Sequence, residues 1–241
     1  MKILITNDDG INSKGLYALV EALSKYDHEL FIMAPELEKS AVSSGLTLRD
    51  PLKLEKKPDL IKGVPTYSLT GTPADCVKFV VITEMFDFDL VVSGLNNGYN
   101  MGEDILYSGT VAAIKEASLY GKKGIAFSAE RGAIDALERG FSFVFNSLLS
   151  SNIYNSCDMF NVNLPKYPTG MVITRKGTCP FDSYYKHKGN NIYVAGGEMI
   201  WKKQDESFDV GAIMNNKISV TPITLEQTDM KVFEEFKNLK F

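Results

Sequence analysis

The chain has 241 residues, 44% of them hydrophobic and 23% charged, with a formal net charge of −4. That length supports one sizeable core, or a core with an appended arm. No bulk basic field exists to attract nucleic acid or anionic lipid, so neither stable nucleic-acid binding nor a membrane partner is expected. An anionic ligand would need a local positive feature: a metal ion, a helix N-terminus or oriented backbone N–H groups.

Cys76, Cys157 and Cys179 are far apart and no CxxC occurs. That excludes a zinc knuckle or disulfide framework and fits a reducing cytoplasm. The N-terminal Met1-Lys2-Ile3-Leu4-Ile5-Thr6-Asn7 turns polar too soon for a secretory h-region, and no apolar run reaches the length of a membrane span.

Lys2–Thr6 reads as a short buried strand. Leu16, Leu19, Val20, Leu23 and Tyr26 follow at helical spacing. Glu29–Ala34 is a second strand, ended by Pro35, and residues 35–50 form a polar loop. Leu52–Glu55 and Thr66–Leu69 suggest a strand pair. Thr72-Pro73-Ala74-Asp75 opens a helix: Thr72 caps, Pro73 fits the first helical position, and Asp75 favours the positive dipole end. This helix is expected to reach about Met85. Leu90–Ser93 is a strand, residues 110–120 a helix, Gly124–Ser128 a strand, Ala133–Leu149 a long helix and Met159–Leu164 a strand. This alternation predicts an α/β fold of three layers, with a mostly parallel sheet covered by helices on both faces.

After Arg175 the pattern changes. Ile192–Ala195 and Met199–Lys202 suggest a hairpin about Gly196-Gly197, Ile218–Pro222 a strand, and Leu225–Leu239 an amphipathic helix. Residues 176–241 are therefore expected to form an arm on the core of residues 1–175, used for subunit association.

Ligands of an open parallel sheet bind beyond the carboxyl ends of its strands. Four segments should gather there: Asn7-Asp8-Asp9-Gly10, Glu36-Leu37-Glu38-Lys39-Ser40, Gly94-Leu95-Asn96-Asn97-Gly98-Tyr99-Asn100, and Tyr107-Ser108-Gly109-Thr110. Adjacent carboxylates such as Asp8 and Asp9 repel each other and lose hydration; a hard cation relieves both. Oxygen ligands without His or Cys select Mg²⁺, Mn²⁺ or Ca²⁺ over zinc. A plain turn is the competing reading. Ser40 and Asn96 offer neutral oxygens, although each alone suits a turn or cap. Ser108, Gly109 and Thr110 suit both an N-cap and an anion cradle. Lys39 reads as a solvated lysine and His28 as an exposed one. Asp87 and Asp89 precede a strand, which puts them at the wrong end for a carboxyl-end site. No P-loop and no dinucleotide fingerprint is present.

Taken together, these motifs resemble one family. Thr6-Asn7-Asp8-Asp9-Gly10-Ile11, Ala34-Pro35 with Lys39-Ser40, Gly71-Thr72-Pro73-Ala74-Asp75-Cys76-Val77, the stretch Val92–Gly102 and Tyr107-Ser108-Gly109-Thr110-Val111-Ala112-Ala113 together resemble the SurE family, the survival-protein 5′/3′-nucleotidases. Asn161-Val162-Asn163-Leu164-Pro165 and Ile218-Ser219-Val220-Thr221-Pro222 resemble it more weakly.

The resemblance implies a Rossmann-like core in a single domain and one divalent cation per subunit. It makes Asp8, Asp9, Ser40 and Asn96 the metal ligands, and Asn100, Ser108, Gly109 and Thr110 the substrate-site positions. It also implies a homodimer or homotetramer. The expected reaction is hydrolysis of nucleoside 5′-monophosphates, and of 3′-monophosphates as well, with Asp8 accepting the proton of the attacking water. A covalent phosphate on Asp8 is a less favoured variant. Departures occur at Ala41-Val42-Ser43-Ser44-Gly45, which makes Ser44 a weaker site candidate, and at residues 177–190. The alternative from another class is a nucleotide-binding regulatory module without turnover.

Overall fold

The computed structural model describes residues 1–239. In chain order the elements are β1 (Lys2–Thr6), α1 (Lys14–Leu23), β2 (Glu29–Pro35), β3 (Leu54–Lys57), β4 (Thr66–Leu69), α2 (Pro73–Ile82), β5 (Leu90–Asn97), a 3₁₀ turn (Gly102–Leu106), α3 (Gly109–Leu119), β6 (Lys123–Ala129), α4 (Ala136–Leu149), α5 (Asn152–Ser156), β7 (Met159–Leu164), β8 (Met171–Ile173), β9 (Tyr184–His187), β10 (Tyr193–Gly196), α6 (Asp209–Met214), β11 (Ile218–Ile223) and α7 (Met230–Phe236).

A nine-stranded sheet runs in the order β3-β4-β2-β1-β5-β6-β7-β11-β8. It is mixed but mostly parallel; only the β3/β4 and β7/β11 pairs are antiparallel. The central strands are near-continuous apolar runs because both faces are covered. On one face Leu16, Leu19 and Leu23 of α1 and Phe141 and Phe145 of α4 pack with Ile3, Ile5 and Phe160. On the other, Val77 and Val80 of α2 and Val111 and Ile114 of α3 pack with Leu4, Met33 and Val91.

Strand β1 is the topological pivot. From it the chain builds outward through β2 and β4 on one side and β5, β6 and β7 on the other. Thr6 pairs with Ser93 at the carboxyl ends of β1 and β5, so the loops leaving these two strands diverge around one crevice. Packing there is close: a Cβ on Gly15 would overlap the Leu95 carbonyl oxygen, so only glycine lets α1 sit so near β5.

The structure departs from the sequence reading in four places. First, the hairpin turns at Asn190 and Asn191, not at Gly196-Gly197. β10 pairs antiparallel with β9, Gly196 lying opposite Tyr184. A Cβ at Gly196 would lie 2.6 Å from the Tyr184 ring, so this glycine makes room for a cross-strand aromatic. Asn190 and Asn191 have φ of 49° and 57°, as the primed turns favoured in hairpins require. Met199 makes only an isolated bridge to Phe181.

Second, the final helix is shorter than Leu225–Leu239. Side-chain bonds from Glu226 N–H to Thr224 and from Thr228 N–H to Glu226 hold the preceding segment out of helix, and Asp229 caps α7. Third, α4 begins at Ala136, not Ala133, after tight turns at Ala133 and Ala136. Fourth, His28 is half-buried rather than exposed: its ring stacks on Tyr26 and meets the edge of Phe145. In addition, β11 lies in the main sheet between β7 and β8, so part of the segment after Arg175 completes the core.

Candidate active site at the carboxyl end of the sheet

The crevice beside β1 opens into a cavity of about 390 Å³. Asp8, Asp9, Ser40, Asn96, Asn100 and Ser108 all line it, six of the nine residues singled out in the sequence. Gly109 and Thr110 lie directly behind the wall. Ser44 is exposed and does not line the cavity. Its neighbour Ser43 instead ties the loop down, through its hydroxyl to the Leu106 carbonyl and its N–H to the Tyr107 carbonyl. A groove of similar volume (about 410 Å³) lies between α1 and α4, but none of the predicted site residues lines it.

Asp8 follows β1 and is 7% exposed. Burial pushes its carboxyl up from 3.8 to about 6; the Thr110 hydroxyl pulls it down and the Asp9 charge pushes it up. That hydroxyl donates to Asp8 Oδ1 at 2.6 Å, and among the described residues no side-chain donor reaches Oδ2. Asp9 is also raised, by burial and the charge of Glu38, against an opposing hydrogen bond from the Asn97 N–H. Asn96 donates its amide N–H to the Gly98 carbonyl (2.8 Å), which leaves its Oδ1 without a partner among the described residues. Ser40 donates to Glu38 Oε1 (2.6 Å), and its oxygen lone pairs remain.

The wall adjoining Asp8 is the start of α3. Ser108 is the N-cap, its Oγ accepting from the Val111 N–H at 3.1 Å. The N–H groups of Gly109 and Thr110 fall in the first turn, where an α-helix has no internal acceptor for them. Contact between the walls is tight. A Cβ on Gly109 would lie 2.9 Å from Asp8 Cβ, so glycine lets the helix end approach the carboxylate.

Two lining residues escaped the sequence reading, Asp104 and Arg131. Arg131 lies in the loop after β6, one strand beyond β5. That carboxyl-end loop was a legible position that the four chosen segments omitted. Asp104 sits in the 3₁₀ turn, and burial and the Glu103 charge push its carboxyl to about 6. Asp87 and Asp89 behave as expected of the opposite sheet end: Asp87 pairs with Lys122, and Asp89 accepts from the Lys2 N–H.

Four carboxylates (Asp8, Asp9, Glu38, Asp104) and one guanidinium thus line the cavity. Such a site repels an anion unless a cation is present. Asp8, Asp9, Ser40 and Asn96 give the cavity a hard, all-oxygen donor set of the kind that takes Mg²⁺, Mn²⁺ or Ca²⁺. The residues therefore fit a divalent ion.

The fold and cavity define a doubly wound α/β protein with an acidic cavity at its topological switch point, beside a helix N-terminus. Residues 3–184 match the family described as survival protein SurE. The chain is 37% identical to the 5′-nucleotidase SurE of Alkaliphilus metalliredigens, covering 99% of this chain and 98% of that one. It is 35% identical to the 5′-nucleotidase SurE of Syntrophomonas wolfei, over 98% and 94% of the two chains. A crystal structure of the SurE protein from Aquifex aeolicus superposes with a TM-score of 0.80 at 34% identity, over 99% of both chains. The chain belongs to the SurE family.

Proposed function

We propose that this protein is a 5′-nucleotidase that hydrolyses nucleoside 5′-monophosphates, and 3′-monophosphates as well, with one divalent cation per subunit. The observation that carries the reading is the juxtaposition of an acidic oxygen cluster and the N-terminus of α3 at one cavity. Its relatives named 5′-nucleotidase SurE support the reaction class.

In this reading Asp8, Asp9, Ser40 and Asn96 hold the cation. Bound there, the ion supplies positive charge against the phosphate and acidifies a water. The remaining phosphate oxygens meet the start of α3, where the Ser108 hydroxyl lines the cavity and the Gly109 N–H lies just behind it. Asn100 lines the same cavity and contacts the substrate. Asp8 also takes the proton of the attacking water, on the carboxylate oxygen that the cation leaves free. Arg131, lining the same cavity, offsets part of its acidic field.

The test is release of inorganic phosphate from AMP and GMP, with Mg²⁺ or Mn²⁺ and with EDTA. Metal-dependent release abolished by EDTA is the expected result. Tight nucleotide binding without release would instead favour the regulatory-module reading. A matched panel of 3′-monophosphates tests the wider substrate range.

We further infer a cytoplasmic homodimer or homotetramer. Three unpaired cysteines suit a reducing compartment. Exposed Tyr184, Tyr185, Tyr193 and Val194 on the β9/β10 hairpin are apolar surface suited to subunit contact. Among the described residues, no helix is long and apolar enough to cross a membrane.

A further inference from the structure

Two asparagines stand in the middle of β7, where every residue is buried. Asn161 and Asn163 are both fully buried, two residues apart and so on one face of the strand. An amide at such a position is costly unless its hydrogen bonds are made. Here both amides are spent on one partner, the main chain of Asn100.

Asn163 bonds it reciprocally: its Oδ1 accepts from the Asn100 N–H at 2.8 Å and its Nδ2 donates to the Asn100 carbonyl at 3.0 Å. Asn161 Nδ2 donates to the same carbonyl at 2.7 Å, leaving Asn161 Oδ1 buried and unpartnered. Asn100 and Met101 are irregular chain that is nevertheless buried. Buried irregular backbone needs partners from outside secondary structure, and β7 provides them.

The side chain of Asn100 continues the line. Its Nδ2 donates to Ser128 Oγ (2.8 Å), on the residue beside Asn163 in β6, and to Thr110 Oγ1 (3.3 Å). Thr110 in turn donates to Asp8 Oδ1. The direction of this chain fixes the amide. Thr110 spends its one proton on Asp8, so it must accept from Asn100, and Asn100 must turn its Nδ2 inward. Its Oδ1 is then the group left over, without a hydrogen bond among the described residues.

We propose that Asn163, with Asn161 in support, is a positioning residue that holds Asn100 in register with Thr110 and Asp8. This rests on the reading of the cavity as a nucleotidase site in which Asn100 meets substrate. Asn163 touches no substrate; it acts through Asn100.

The test is a double-mutant cycle on the full-length protein, with AMP and saturating Mg²⁺. Asn163→Ala should lower kcat/KM roughly ten- to a hundredfold, as expected when a contacting group shifts by an ångström or so. Asn163→Ala in an Asn100→Ala background should add no further loss, because the residue it positions is gone. Losses that multiply would mean that Asn163 acts by general stability, and would overturn the proposal. Asn161→Ala leaves the reciprocal pair in place and should show a smaller loss; it serves if Asn163→Ala does not fold.

Hydrogen exchange of peptides spanning 97–108 gives a readout independent of turnover. In Asn163→Ala (or Asn161→Ala, if only that folds) exchange should accelerate there and not in β1. Unchanged exchange in that segment would overturn the clamp even if the wild type proved inactive. Inactivity of the wild type on every nucleotide would sink the nucleotidase reading alone.

Discussion

Replacing Asp8 by Asn should abolish phosphate release and, without metal, make the protein more stable. The carboxyl rises from 3.8 in the unfolded chain to about 6 in the folded one, chiefly through burial. A shift of that size corresponds to about 3 kcal/mol of destabilisation when Asp8 is ionised in the folded state. The sign follows from proton counting. Between about pH 4 and pH 6 the folded state binds more protons than the unfolded one, so stability falls as pH rises through that window.

Asn cannot ionise, and its Oδ1 can still accept from Thr110. At pH 7.5 in EDTA, Asp8→Asn should therefore melt about 6–12 °C above wild type, given about 2–4 °C per kcal/mol at this chain length. At pH 4 the two should melt together. Saturating Mg²⁺ should raise the wild-type midpoint and leave the variant unmoved. Thermal melts at the two pH values, with and without Mg²⁺, check this. A variant that melts at or below wild type at pH 7.5 in EDTA would refute the argument that buried charge is uncompensated at Asp8. Near-normal phosphate release from the variant in saturating Mn²⁺ or Mg²⁺ would refute the assignment of Asp8 itself.

Gly109→Ala puts a methyl group 2.9 Å from Asp8 Cβ and 3.3 Å from Pro73 Cγ, so the helix start must retreat. We expect a destabilisation of about 1–3 kcal/mol by urea unfolding, with a larger fractional loss in kcat/KM than in stability. Thr110→Val keeps the shape but removes the donor to Asp8 Oδ1, a bond that lowers the Asp8 pKa. In metal-free protein the Asp8 carboxyl should then titrate above about 6, followed by carboxyl-carbon NMR; a downward shift would contradict the hydrogen-bond direction used above. Replacing Tyr184, Tyr185, Tyr193 and Val194 with Ser should shift the protein toward monomer in sedimentation, with monomeric subunits still holding the metal site.

Much of this protein was legible from local sequence signals. Thr72-Pro73-Ala74-Asp75 specified the start of α2, because capping depends on residues three apart; the bond from the Thr72 N–H back to Asp75 came from the structure. The buried strands announced themselves as apolar runs, and their alternation with helical spacing was enough for a three-layer sheet. Asp8, Asp9, Ser40, Asn96 and Ser108 could be placed at one edge because a parallel sheet puts all its strand-to-helix loops on the same side. The hairpin turn was misplaced because Gly-Gly is a turn signal only when the neighbouring strands choose that register. Here the Tyr184 ring, twelve residues earlier in the chain, claims Gly196 instead.

What only the tertiary structure decided was the identity of the neighbours. Asn163 and Asn100 lie far apart in the chain and share no local pattern; their reciprocal bonds exist because β7 and the loop after β5 meet across β6. Arg131 and Asp104 were ordinary surface charges until the fold turned them toward one cavity. The raised carboxyl of Asp8 follows from burial, which the order of residues does not display. Sequence specified the oxygen-bearing residues and the strand ends that carry them, because those are short-range choices. Distances, burial and the direction of the hydrogen bonds came from contacts between segments remote in the chain.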